Sequence, residues 1–158
     1  VKFANTSTPG WFKLLTVIII GGIIAQIISS TLKKKMIKSQ IEVTNMPMIN
    51  SKITVSLPQE KRDVLKYELG KAISILGKSE SYLMLGFEDN YDLYFGGNKL
   101  TKCAFVSVEL FGGENPEACD KMTAKICEIF EKELGIPGDG VYITYAGYKN
   151  WGWNGRNF

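Results

Sequence analysis

Two hydrophobic patterns divide the chain. From Leu14 to Leu32 the apolar residues neither alternate nor keep to one face. They run on for 19 residues without a charge, LLTVIIIGGIIAQIISSTL. A helix of that length spans roughly 28 Å, close to the hydrocarbon core of a bilayer. Trp11 and Phe12 stand at one end as interfacial aromatics, and Lys33-Lys34-Lys35 close the other. The pattern predicts a single transmembrane helix over 14–32, after a tail at 1–13 and before a basic connector at 33–46. A cleaved secretory signal fits less well, because the run is longer than an h-region and no small-residue cleavage site precedes the lysines.

Beyond residue 46 the pattern becomes that of a folded domain, 47–158. MINSKITVSL (48–57) alternates around Ile53 and Val55, which predicts a strand. Pro58-Gln59-Glu60 opens a helix in which Leu65, Leu69, Ala72 and Leu76 share one face, and Gly77 caps it. SYLMLGFED (81–89) reads as a strand, and YDLYF (91–95) as a short second one before a turn at Gly96-Gly97. The order then repeats. CAFVSVELF (103–111) is a strand, 115–134 a helix with Met122, Ile126, Ile129, Phe130 and Leu134 on one face, and VYITYAGY (141–148) the closing strand. The Gly-, Asn- and aromatic-rich tail is expected as an edge strand or against a neighbour. The fold class is therefore α/β. Two β-α-β units form a four-stranded mixed sheet with two helices on one face. The opposite sheet face needs cover, and in so small a domain a second subunit is the expected source.

Charge separates the same two parts. Residues 1–46 carry six lysines against Glu42 alone, whereas 47–158 carry 13 Lys/Arg against 15 Asp/Glu. The basic balance belongs to the leading segment. The globular part has no basic stripe with interleaved aromatics, so nucleic acid is not expected as a partner. There is no histidine, which excludes Ser-His-Asp and Cys-His catalysis and the usual His-bearing zinc sites. Cys103, Cys119 and Cys127 lack C-x-x-C spacing and read as reduced, mostly buried thiols. No metal and no cofactor are expected.

Within the predicted span, Gly21, Ala25 and Ser29 follow one another at i, i+4 and i+8, with Gln26 beside them. Small residues at this spacing let another helix approach closely in lipid, and a glutamine there seeks a hydrogen-bond partner. Other transmembrane helices and the lipid bilayer are thus the expected partners. Four lysines follow the span and two precede it, so the domain should face the positive-inside compartment. A first residue of Val1 fits removal of a targeting peptide, and the mitochondrial inner membrane is the candidate location for this single-pass protein.

Specific words in the domain carry more. They are Pro47-Met48 at the first strand, Gly77-Lys78 with Tyr82 after the first helix, Phe95-Gly96-Gly97, Gly112-Gly113, Val141-Tyr142-Ile143, and Gly152-Trp153-Asn154 with Phe158. In this order and spacing the chain resembles the macrophage migration inhibitory factor and D-dopachrome tautomerase family over 47–158. The resemblance implies a homotrimer with tautomerase pockets between subunits. It implies an N-terminal proline as catalytic base, matched by Pro47. It also implies a substrate pocket of Lys78, Phe111, Tyr142 and Trp153, with Lys78 holding a carboxylate. Thr144 stands where mammalian members carry a substrate-binding asparagine. Cys103-Ala-Phe-Val106 replaces a C-x-x-C of some members, so thiol–disulfide activity is not expected.

One departure bears on function. Pro47 follows Met46, so its nitrogen is an amide whose lone pair is delocalised into the carbonyl. A free α-amino group titrates near 7.7–8 in model peptides and can act as a base at neutral pH; an amide cannot. The expected role is a non-catalytic accessory subunit of a larger membrane complex. The alternative is a keto–enol tautomerase of the phenylpyruvate or dopachrome type, active only when Pro47 is freed as an N-terminus. A secreted cytokine-like ligand is a third reading, weakened by the uncleaved apolar run.

Overall fold

The computed structural model describes residues 23–37 and 46–157, and the chain divides into two units, 1–40 and 41–158. In the first unit, residues 23–37 form helix α1, with every side chain exposed, Ile23, Ile27 and Leu32 among them. The Ser30 and Thr31 hydroxyls donate back to the Ile27 carbonyl at 2.9 and 2.8 Å, which satisfies them within the helix. Among the described residues no helix is long and apolar enough to cross a membrane. Residues 14–22 of the expected span, Gly21 included, lie outside the described residues, so α1 accounts only for its second half. Ala25, Gln26 and Ser29 are on α1 and exposed. The helix also runs past the expected boundary through Lys33–Lys35 into the connector. Lysine is a good helix former, so the charged run does not stop the helix.

The second unit is the expected two-layer α/β domain. Strand β1 (Pro47–Ile53) leads through helix α2 (Gln59–Ala72) to β2 (Met84–Glu88). After a hairpin of β3 (Tyr94–Phe95) and β4 (Asn98–Lys99), strand β5 (Ala104–Phe111) leads through α3 (Pro116–Leu134) to β6 (Val141–Tyr148). The sheet order is β2-β1-β5-β6. β1 pairs parallel to β2, antiparallel to β5, and β5 parallel to β6, so two β-α-β units meet along the β1–β5 seam.

Alternation sets the layers. Pro47, Ile49, Ser51 and Ile53 of β1 and Ala104, Val106, Val108 and Leu110 of β5 are buried on one face. There they meet Leu65, Leu69 and Ile73 from the α2 side and Met122, Ile126 and Phe130 of α3 in one core. The other face presents Met84, Met48, Asn50, Glu109, Phe111, Tyr142 and Tyr148, all at least partly exposed. Among the described residues nothing packs on that face as the helices do on the first.

Several element ends differ from the sequence reading. The first strand stops at Ile53, where the Thr54 amide donates to the Cys103 carbonyl at 3.1 Å. The strand expected at 81–89 begins only at Met84, because Glu80–Tyr82 form a 3-10 turn capped by the Ser79 hydroxyl. Of 91–95 only Tyr94–Phe95 pairs, with Asn98–Lys99 around Gly96 and Gly97, both at positive φ. The tail is a second two-residue hairpin, β7 (Gly152–Trp153) with β8 (Arg156–Asn157). Asn154 and Gly155 both take positive φ, as the tight Asn-Gly hairpin turn requires.

Candidate active site

Pro47 lies at the start of β1, buried, opposite Leu110 on β5. Its nitrogen is acylated by Met46, and that peptide continues the ladder. The Phe111 amide donates to the Met46 carbonyl at 3.2 Å, and Met46 is only 5% exposed. The chain entering the domain is therefore paired into the sheet at the position where a free proline amine would otherwise face the site.

Lys78 arrives from the other side of the same backbone. Helix α2 tightens into a 3-10 turn over Ile73–Leu76, and Gly77 ends it at φ 68°. The Gly77 and Lys78 amides donate back to Ser74 and Ile73, the arrangement of a Schellman cap. That reversal aims the Lys78 ammonium at the end of β5, where Nζ donates to the Phe111 carbonyl at 2.9 Å. Burial lowers its pKa below the ordinary lysine value. Phe111 thus anchors both Met46 and Lys78 through its backbone, and its half-buried ring shares the open sheet face with Glu109.

Beside Pro47 is a concave space of about 710 Å³. Met46 and Pro47 form one wall, and Tyr82, Tyr148, Trp151 and Trp153 form much of the rest. The Tyr148 and Trp151 rings meet edge to face at 6.1 Å, and Trp153, carried on the β7–β8 hairpin, is 49% exposed. Of the residues singled out in the sequence, Pro47, Lys78, Phe111 and Trp153 therefore gather at this end of the sheet.

Tyr142 does not join them within one chain. It pairs with Phe105, whereas Pro47 pairs with Leu110, five residues further along β5. At strand rise this is roughly 17 Å. Tyr142 is 57% exposed and meets Phe95 edge to face at 5.8 Å. Both line a second concavity of about 400 Å³ at the opposite end of β5. Met46, Glu109, Tyr148 and Trp151 were not singled out from sequence. The period-2 alternation from Phe111 back to Glu109 was a usable signal for one of them; the others depend on register and on the tail hairpin.

The thiols take no part. Burial raises the pKa of Cys103, Cys119 and Cys127 above the free-thiol value, with nearby carboxylates adding to it at Cys119 and Cys127. Each is thus less of a thiolate than a free cysteine.

A family profile described as macrophage migration inhibitory factor matches residues 23–158. The chain is 29% identical over 116 residues to a macrophage migration inhibitory factor homolog of Trichinella spiralis, covering 72% of this chain and 100% of that one. The crystal structure of Leishmania major MIF2 superposes with a TM-score of 0.67 at 36% identity, over 72% of this chain and 98% of that one. A Toxoplasma gondii macrophage migration inhibitory factor gives a TM-score of 0.64 at 28% identity, over 70% and 99%.

Proposed function

Because this chain belongs to the macrophage migration inhibitory factor family, we propose that its tautomerase-like domain acts without catalysis, as a membrane-anchored accessory subunit of a larger membrane complex. The observation that carries the non-catalytic part is the Met46–Pro47 amide, buried and hydrogen-bonded into the β1–β5 ladder. A proline nitrogen in an amide has no basic lone pair, so proton abstraction next to a carbonyl lacks its base. Support for anchoring comes from the uncharged run at 14–32 and from the exposed isoleucines of α1, a surface that calls for lipid or a partner helix. The open sheet face supports self-association. In a homotrimer Tyr142 of a second copy would complete the group around Pro47 that one chain leaves incomplete. The membrane compartment is carried over from the sequence as a candidate only, the mitochondrial inner membrane.

One observation favours a second reading. Lys78, Phe111 and Trp153 still lie at the Pro47 end of the sheet, so cleavage between Met46 and Pro47 would expose a secondary amine beside them. Intact mass and N-terminal sequencing of the protein from its native membrane, combined with a phenylpyruvate keto–enol assay, separate the two. We expect Pro47 to remain preceded by Met46 and turnover to stay at background. A species beginning at Pro47 that turns over phenylpyruvate, with loss of turnover in Pro47→Gly, would make the protein a tautomerase. Recovery of the protein in the soluble fraction after carbonate extraction would remove the anchoring.

A further inference from the structure

The peptide that blocks Pro47 is itself part of the folded sheet. Met46 is 5% exposed, and its carbonyl accepts from the Phe111 amide one step beyond the Pro47–Leu110 pair of the β1–β5 ladder. Lys78 holds Phe111 through its carbonyl as well. The Met46–Pro47 bond therefore has a buried residue on each flank. Proteolytic nicking concentrates at exposed loop tips, where the backbone is free to enter a peptidase.

The residues after the bond are committed more firmly. β1 is an interior strand in the order β2-β1-β5-β6. All seven residues from Pro47 to Ile53 pair with β5, and Met48 to Lys52 pair with β2 as well. Ile49 and Ile53 are fully buried in the core that the helices share. A peptidase draws an extended stretch of chain on both sides of the bond into its cleft. To offer that stretch, β1 must part from β5 and β2 together and lift its isoleucines out of the core. An opening of that extent approaches global unfolding, unlike the fraying of a terminus. Hydrolysis adds one water across the bond and gives a Met46 carboxylate and a Pro47 secondary amine. It also takes away the acceptor of the Phe111 amide and a buried side chain, so the product is less stable than its precursor.

We propose that folding itself closes the route to a free Pro47: peptidases release the proline only from the unfolded chain, and the folded domain protects the Met46–Pro47 bond. This lock rests on the blocked-amide reading above, and the two fail separately. A native protein that begins at Pro47 would end the non-catalytic reading and not the lock, since its processing would have preceded folding.

The test takes the full chain in detergent and adds thermolysin together with an X-Pro aminopeptidase, which removes a residue standing before proline. The free peptide Ile41–Ile53 is the reference, and mass spectrometry reads the species that begins at Pro47. The folded chain should release Pro47 at least about a hundredfold more slowly than the peptide, since only the rare open state is cut. Hydrogen exchange on the same chain gives an independent reading. The Phe111 amide, which holds the Met46 carbonyl, should exchange as slowly as the Val106 and Val108 amides in mid-β5. Met46→Gly empties the buried position and, against its own matched peptide, should speed release at least about tenfold while keeping a cooperative melt. Release of Pro47 from the folded chain at the peptide's rate would overturn the inference. So would a Phe111 amide that exchanges freely while Val106 stays protected, since the Met46 peptide would then open without the core.

Discussion

Ser51 sits mid-strand on β1 between Ile49 and Ile53, fully buried, and its hydroxyl has no hydrogen-bond partner among the described residues. An orphan buried hydroxyl costs about 1–3 kcal/mol relative to leaving it in water. Ser51→Ala removes that cost and little volume, so chemical denaturation should show a neutral or higher midpoint. Ile49→Ala, two residues away in the same core, should lower stability by about 2–5 kcal/mol. Tyr145 gives a second residue-scale expectation. Its hydroxyl pairs with the Thr123 hydroxyl at 2.9 Å across β6 and α3, and burial pushes its pKa up to about 12. The unfolded tyrosine ionises near 10. Its raised folded pKa therefore stabilises the domain below pH 10, and that contribution is lost between about 10 and 12. Absorbance at the phenolate band should show one late-titrating tyrosine, and Tyr145→Phe should flatten the alkaline loss of stability.

At the scale of elements, two junctions hold the β-α-β units in shape. Where α2 begins, Asp89 accepts from the Leu57 amide at 2.9 Å and from Arg62 at 2.7 Å, tying the end of β2 to the first turn of the helix. The Leu57 amide, then Arg62, hold the Asp89 carboxyl below its usual value. Its folded pKa is depressed, so its contribution is present above about pH 3.8 and lost as pH falls through the folded value. Asp89→Asn should show a shallower acid limb in thermal melts across pH 2–5. The other junction is Gly147 on β6. A Cβ there would stand 2.3 Å from the Gly112 carbonyl, a backbone atom that cannot swing aside. The Gly147 amide also donates to Glu114 at 2.6 Å. Gly147→Ala should cost about 1–3 kcal/mol by overpacking and displace Tyr148, so tryptophan emission should change along with the melting temperature.

At the scale of the whole molecule, function turns on whether the site is complete and whether its base exists. Tyr142 is five residues of strand from Pro47, so under the proposed homotrimer a second copy would bring it there. The partly exposed open face gives that copy somewhere to sit. A chain cut to begin at Pro47 should gain phenylpyruvate turnover of at least about a hundredfold over the intact chain, the scale of one general base. Tyr142→Phe should depress it only in the assembled oligomer, as sedimentation run beside the assay will show. Absence of turnover in the cut chain, with its oligomer intact, would mean that the pocket serves binding alone.

The sequence by itself determined the parts that depend on local order. Period-2 and period-3.6 alternation placed every main strand and helix of the domain, because a side chain's face follows from its position in the element. The resemblance carried by the words around Pro47, Gly77-Lys78 and Phe111 implied a site there, and covalent structure alone fixed the Met46–Pro47 amide as non-basic. Tertiary structure decided the rest. Short pairings such as Tyr94–Phe95 with Asn98–Lys99 have too few residues to show a period. The start of β2 depended on a 3-10 turn at Glu80–Tyr82 that competes with extension. Strand register, which no single strand encodes, sent Tyr142 to the far end of β5 and put Glu109 on the open face opposite Met48 and Ala146. Those placements exist only once separate strands have paired, since each is a distance between residues far apart in the chain.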